Sequence, residues 1–454
     1  MSRKKLIQDF TEGNVTKQLL LFASPLFLSS LLQTVYNMAD MVIVGQKLGK
    51  AGLSSVAVGG DVTNFLTFFA MGFSNAGQVI ISQYIGAKEE DKVGRFICNM
   101  ASFLMGLAAV MSILCLTFRR QILQLMQTPE EAFSGALSYS TICMAGLVFI
   151  YGYNMVSAIL RGMGDSARPF IFISISASVN VVLDLLFVMK LELGAGGAAL
   201  ATVISQALSF FLCMAFIIRN RERYSITVRR EEMLRLDKGM MGSMIALGFP
   251  MAIKGASVQF SKLFVNSWIN SYGVTVSAFA GVANKINLTT NLVSNSFNTA
   301  GATMVGQNIA AEKFQRVRKV MLSVFGVTFT TATLFTLSFF FFAEQIYGFF
   351  TSDPEVIRLG IAYFPIAVLI FYGSCGRSGM NALINGSGNY KVNFVCAILD
   401  GIVMRIGLSV LFGLWLSMGY MGFWLGDALA GFTPLVLGIF FYMSGAWKKP
   451  MKRA

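Results

Sequence analysis

Histidine is absent from this 454-residue chain, and only 13% of its residues are charged. Without histidine, the commonest metal ligand and general base is missing. Any proton chemistry therefore falls to carboxylates, with Lys or Tyr as poorer candidates. A soluble domain carries roughly a quarter charged residues. The six cysteines (Cys98, Cys115, Cys143, Cys213, Cys375 and Cys396) all sit in apolar runs with no CxxC pair. They read as packing residues rather than as a disulfide framework or metal site. No small-residue cleavage site follows the first apolar run, so the basic start Met1–Lys5 is not expected to belong to a cleaved signal peptide. The lack of histidine, of metal-ligand clusters and of a nucleophile motif argues against an enzyme, here one embedded in a membrane, and against a cofactor.

What the chain has is apolar length. It is 55% hydrophobic, with 41 Phe, 26 Met and 44 Gly, and its mean hydropathy is +0.65. The apolar residues come in runs of about twenty or more, each able to cross a hydrocarbon layer of ~30 Å. About twelve spans are expected, near 17–45, 53–82, 95–118, 133–160, 169–190, 196–218, 241–270, 276–306, 317–343, 357–384, 391–414 and 420–446. The fold class is therefore an all-α integral membrane protein with short loops.

The net charge of +14 is distributed by loop, which argues against nucleic acid. Of the 36 basic residues, 25 fall at the termini and in alternate loops, among them Lys88, Lys92, Arg161, Arg168 and the run from Arg219 to Lys238; the opposite loops hold six. The positive-inside rule then places both termini in the cytoplasm.

The halves repeat at a spacing of about 224 residues. Leu21-Phe-Ala-Ser-Pro25 returns as Ala246-Leu-Gly-Phe-Pro250, Gln83-Tyr-Ile-Gly-Ala-Lys-Glu as Gln307-Asn-Ile-Ala-Ala-Glu-Lys, and Arg161-Gly-Met-Gly-Asp as Asn385-Gly-Ser-Gly-Asn. Such periodicity marks a duplicated unit. Six spans per unit give both units the same orientation, related by an axis along the membrane normal with a substrate path between them. The expected division is a bundle over 1–218, a basic linker over 219–240 and a second bundle over 241–454.

Ionisable groups inside spans are functional candidates by default, since each costs at least ~2.5–3.5 kcal/mol to insert. Asp40 follows Gln33 and Asn37 on one face of span 1, Asp184 follows Asn180 in span 5, and Thr202 and Gln206 are four apart in span 6. If these stripes converge, they form a pocket of two carboxylates with amide and hydroxyl oxygens, suited to a proton or a Na⁺. The alternative is that Asp40 and Asp184 lie near a membrane–water boundary and are solvated. Tyr139 and Asn154 in span 4 either line a cavity or tie helices together. Asp61 reads as a boundary residue, and Asp400 and Asp427 as ion-pair partners or functional acids.

The second half is electrically opposite. Lys254, Lys262, Lys285, Arg377 and Arg405 fall within or near spans, and either neutralise Asp400 and Asp427 or give a cavity basic character that favours anionic or zwitterionic cargo. Pro25 interrupts the first apolar run and can kink it, as a switch or a static bend.

In these respects the chain resembles the MATE (multidrug and toxic compound extrusion) transporters. The resemblance rests on the span count, the duplication, the stretch Leu31-Leu-Gln-Thr-Val-Tyr-Asn-Met-Ala-Asp-Met-Val-Ile-Val-Gly45, the Gln83 and Arg161 motifs, and Asn180-Val-Val-Leu-Asp184. It implies two pseudo-symmetric six-helix bundles forming a V and exporting organic compounds in exchange for H⁺ or Na⁺. The DinF-like prokaryotic branch is the better fit. It implies a coupling-ion site, for H⁺ or Na⁺, at Asp40, Asn180, Asp184 and Thr202, a helix bend near Pro25, and residence in a prokaryotic inner membrane; a monomer is expected. Gln33, Asn37, Tyr139, Asn154, Gln206, Lys254, Arg377 and Arg405 are substrate-cavity candidates. The NorM-like branch has acids in spans 7 and 10, where this chain carries Lys254, Gln259 and Arg377 instead. The alternative function is a flippase or exporter of a lipid-linked or anionic metabolite in the same superfamily, for which the basic second half would suit the cargo.

Overall fold

The computed structural model describes residues 5–226 and 236–449, and their regular elements are all helical. Val15–Gly86 forms one helical stretch of 72 residues interrupted at Gly49 (φ 62°, ψ −153°). At ~1.5 Å per residue a straight helix of that length would exceed the hydrocarbon layer more than threefold. Gly49 therefore separates two spans, α1 (residues 15–48) and α2 (residues 50–86), in a backbone conformation that side chains disfavour.

Then follow α3 (Glu90–Thr117), α4, α5 (Ala167–Lys190) and α6 (Gly194–Arg219); α4 is a broken span of Glu130–Ala145 and Leu147–Gly162 bent by 51°. The second half runs through α7 (Lys238–Asn270), α8 (Val274–Ala310), α9 (Phe314–Phe350), α10 (Pro354–Gly386), α11 (Tyr390–Trp415) and α12 (Gly419–Met443). Of these, α8 is long enough to span but too polar to stand out by hydropathy. Among the described residues twelve helices of spanning length result, at the positions expected from the apolar runs. Large apolar side chains such as Ile113, Phe211, Phe340 and Phe440 are more than half exposed. In water such burial deficits are costly, but against lipid they are neutral.

The duplication is written into the backbone. Gly49 and Gly273, Lys88 and Glu312, and Gly164 and Gly388 are pairs 224 residues apart, and all six have positive φ. Helix packing repeats as well. A Cβ on Gly162 would come within 2.9 Å of the Gln78 carbonyl and press on Ile81; one on Gly386 would come within 2.6 Å of the Ala302 carbonyl and press on Val305. These contacts join α4 to α2 and α10 to α8 backbone to backbone, the close approach that small residues permit in lipid.

Two compact units form. One consists mainly of Ser24–Ala252; the other consists of Phe10–Ala23 and Ile253–Lys452. Packing thus divides the chain differently from the loop at 219–240, because the first turns of α1 and α7 each belong to the opposite half's unit. Within the second unit, the Phe10 amide donates to Gln307 Oε1 (2.8 Å) and Arg316 Nη1 to the Gly13 carbonyl (2.9 Å). Within the first, Gly72 packs directly on Ala252, and Gly248 on Phe73. Pro25 and Pro250, equivalent in the repeat, each lie within three residues of a switch. The basic residues Arg3, Lys4, Arg229, Arg230, Arg235, Lys452 and Arg453 lie outside the described residues.

Candidate functional site

The first unit gathers its polar residues from four helices. From α1 come Tyr36 and Asp40, one turn apart; from α5, Asn180 and Asp184; from α6, Thr202 and Gln206; from α4, Tyr139. Asp184 is fully buried and Asp40 is 8% exposed. Asp184 ends the α-helical part of α5, which continues as a π turn over Leu185–Lys190. Such turns widen a helix locally and are common at functional sites.

The two carboxylates lie within electrostatic reach of one another. Tyr36 lies beside Gln206 and Tyr139 beside Thr202, and both rings feel both carboxylates. Asn180, Thr202, Gln206 and Tyr36 line a cavity of ≈ 10 Å³ of positions for a water-sized sphere. That is about the least space that holds one water. Among the described residues, neither oxygen of Asp184, nor Asp40 Oδ1, Asn180 Oδ1, Asn180 Nδ2 or Gln206 Oε1, has a hydrogen-bond partner. Nearby hydroxyls do not supply one. Thr202 Oγ1 donates to the Ala198 carbonyl (3.0 Å), Ser205 Oγ to Ala201 (2.7 Å), and Ser176 Oγ to Ser205. Acceptors buried without donors are costly. Oxygens of this kind are what a proton or a hard cation takes as partners.

The expected face of α1 is displaced by one position. Gln33 is half-buried and Asn37 exposed, whereas Tyr36 reaches Gln206 beside Asp40. Tyr36 escaped the sequence reading because it counts as an aromatic packing residue. Its place four residues before Asp40 was the available signal. Asn154 donates its amide to the Ile150 carbonyl (2.8 Å) of its own helix. Pro25 lies within α1, and its carbonyl accepts from Ser29 Oγ (2.7 Å). Asp61 is exposed on α2. Just past α5, Glu192 accepts from Lys47 Nζ of α1 at 2.6 Å. That hydrogen bond and the lysine charge hold the Glu192 carboxyl below its ordinary range.

In the second unit Arg405 is 1% exposed and donates to both Asp427 and Asp400 (3.1 Å). Asp400 sits in a π turn, Leu399–Val403. The wider turn brings residues five apart toward the same side. Arg405, a cavity candidate from sequence, is thus first of all the clamp of an ion-pair triad, though it also borders a small cavity with Arg377 and Lys262. Lys254 donates to Asn381 Oδ1 (2.7 Å) and Cys396 Sγ (3.5 Å), and Lys285 is exposed.

The family model for MatE matches residues 25–186 and 250–426, one stretch in each half. The chain belongs to that family. MATE proteins are transporters, not enzymes, and this chain is a multi-pass membrane protein of that kind. It is 28% identical over 443 residues to the "probable multidrug resistance protein" YpnP of Bacillus subtilis, covering 97% of each chain. It is 23% identical to the corresponding protein NorM of Thermotoga maritima, covering 96% of this chain and 94% of that one. Its fold matches a solved outward-facing MATE transporter of the MOP superfamily with a TM-score of 0.90 at 20% identity, covering 98% of this chain and 100% of that one.

Proposed function

We propose that this MATE transporter is a secondary antiporter that exports organic compounds in exchange for H⁺ or Na⁺. The observation that carries the reading is the set of unpaired, buried oxygens of Asp40, Asn180, Asp184 and Gln206. Two carboxylates in a low-dielectric pocket need a proton or a cation to remain there. Asp40, Asn180, Asp184 and Thr202 hold the coupling ion, and no cofactor takes part. The names of relatives such as YpnP support efflux of drug-like compounds. The protein works as a monomer in a prokaryotic cell membrane with both termini in the cytoplasm. A bound ion shifts the conformational equilibrium only by its differential affinity for the two states. The pocket must therefore bind its ion more tightly in one state, and Pro25 is the bend through which α1 changes state.

The test is efflux of a fluorescent organic cation from vesicles under an imposed ΔpH or ΔNa⁺, with Asp40→Asn and Asp184→Asn beside wild type. Efflux driven by one of the gradients and lost in both variants is expected. Undiminished gradient-driven efflux in Asp40→Asn would defeat the proposal.

A further inference from the structure

The second unit carries half-buried positive charge, on Lys262 and Arg377, without a matching carboxylate. Lys262 of α7, Arg377 of α10 and Arg405 of α11 border one cavity. The acids near them are Asp400 and Asp427, and both are bound by Arg405. Among the described residues Arg377 joins no ion pair, and the Nε atoms of both Arg377 and Arg405 lack a hydrogen-bond partner. Three cations face two carboxylates, so the cluster is one positive charge in excess within a membrane span. A charge in that place is expensive unless something answers it.

A small cavity lies beside these charges. Its volume is ≈ 20 Å³ for a water-sized sphere, and Asn287 and Asn291 of α8 add amide groups to its wall. A second cavity of ≈ 30 Å³ shares Lys262, Asn287 and Asp427 with the first and extends toward Tyr363 and Trp424. Guanidinium groups bind planar oxyanions through paired hydrogen bonds. A lysine adds a point charge.

We infer that the second unit holds an anion site, formed by Lys262, Arg377, Arg405 and Asn287, that takes the carboxylate or phosphate group of an organic anion. Arg377 supplies a guanidinium that joins no ion pair, Lys262 the charge beside it, and Arg405 is fixed by its two acids with its Nε–H left unpaired. The anionic group comes either from exported cargo or from a lipid headgroup. The cargo assignment rests on the export reading above; the site itself does not.

The experiment is calorimetric titration of the purified full chain in nanodiscs, without any gradient, using benzoate and inorganic phosphate as probes at constant ionic strength. One saturable site per chain is expected for at least one of the two probes. Arg377→Gln and Lys262→Gln should each weaken it at least tenfold, and Arg377→Lys by less than Arg377→Gln. Lys285→Gln, an exposed lysine of the same unit, should bind as wild type does. Phosphatidylcholine discs are compared with discs containing phosphatidylglycerol. Tenfold weaker binding in the latter assigns the site to a headgroup, and equal binding assigns it to cargo. Wild type that is folded by circular dichroism and monodisperse, yet binds neither probe, overturns the inference. So does Arg377→Gln binding as tightly as wild type. Saturable binding with no efflux under any gradient keeps the anion site and removes the antiport reading instead.

Discussion

At the scale of single residues, the decisive contrast is between charges that are answered and charges that are not. Arg405 is answered twice, by Asp400 and Asp427. Replacing it by Met leaves a fully buried Asp400 alone and should cost about 3–5 kcal/mol. The expected result is a large drop in thermal stability in detergent, mostly recovered in Asp400→Leu/Arg405→Met/Asp427→Leu. A single Arg405→Met variant as stable as wild type would show that the triad is not structural. Glu192 offers a milder case, being exposed and paired with Lys47. Its carboxyl titrates lower in the folded protein than when unfolded. Its contribution to stability is therefore present above the unfolded value and lost as pH falls through the folded one. Lys47→Gln should raise the Glu192 midpoint in a carbon-13 titration; an unmoved midpoint would mean that the pair does not form in solution.

At the scale of helices, glycine spacing decides how closely the spans approach. Gly386→Ala sets a Cβ 2.6 Å from the backbone carbonyl of Ala302, which cannot rotate away, so a loss of about 1–3 kcal/mol is expected. Gly106 in α3 has nothing within 4 Å of the same atom. Gly106→Ala should therefore be neutral or slightly stabilising, since alanine loses less backbone entropy. Equal melting temperatures for the two variants would contradict this account. Pro25→Ala restores an amide to α1. If Pro25 acts as the bend, this variant keeps its fold and stability while gradient-driven export slows; unchanged export would make the proline a static feature. Much of this layer was legible in the sequence. The repeated Arg161 and Asn385 motifs pointed to equivalent positions, and their glycines do lie at equivalent contacts. The π turns after Asp184 and at Asp400 were not legible. A π turn depends on which carbonyls the packed helix leaves free, and no composition marks that.

At the scale of the molecule, the halves of the sequence and the units of packing do not coincide. Phe10–Ala23 belongs with the second half, and α7 up to Ala252 with the first. Chains 1–218 and 241–454 made separately should each lack a helix start of their unit. Each alone should be protease-sensitive, and co-expression should restore resistance. Two halves that are resistant on their own would contradict the exchange.

Sequence alone determined the membrane class, the twelve spans and the duplication, and it singled out the two carboxylates. Each of these follows from local quantities: run length, hydropathy, and the cost of an acid in hydrocarbon. Tertiary structure alone decided that Tyr36 rather than Asn37 accompanies Asp40, that Arg405 is claimed by two acids while Arg377 is claimed by none, and that the first turns of α1 and α7 change units. Those outcomes depend on which neighbouring helix supplies a partner, and a partner distant in the chain leaves no trace in the spacing of the residues it meets.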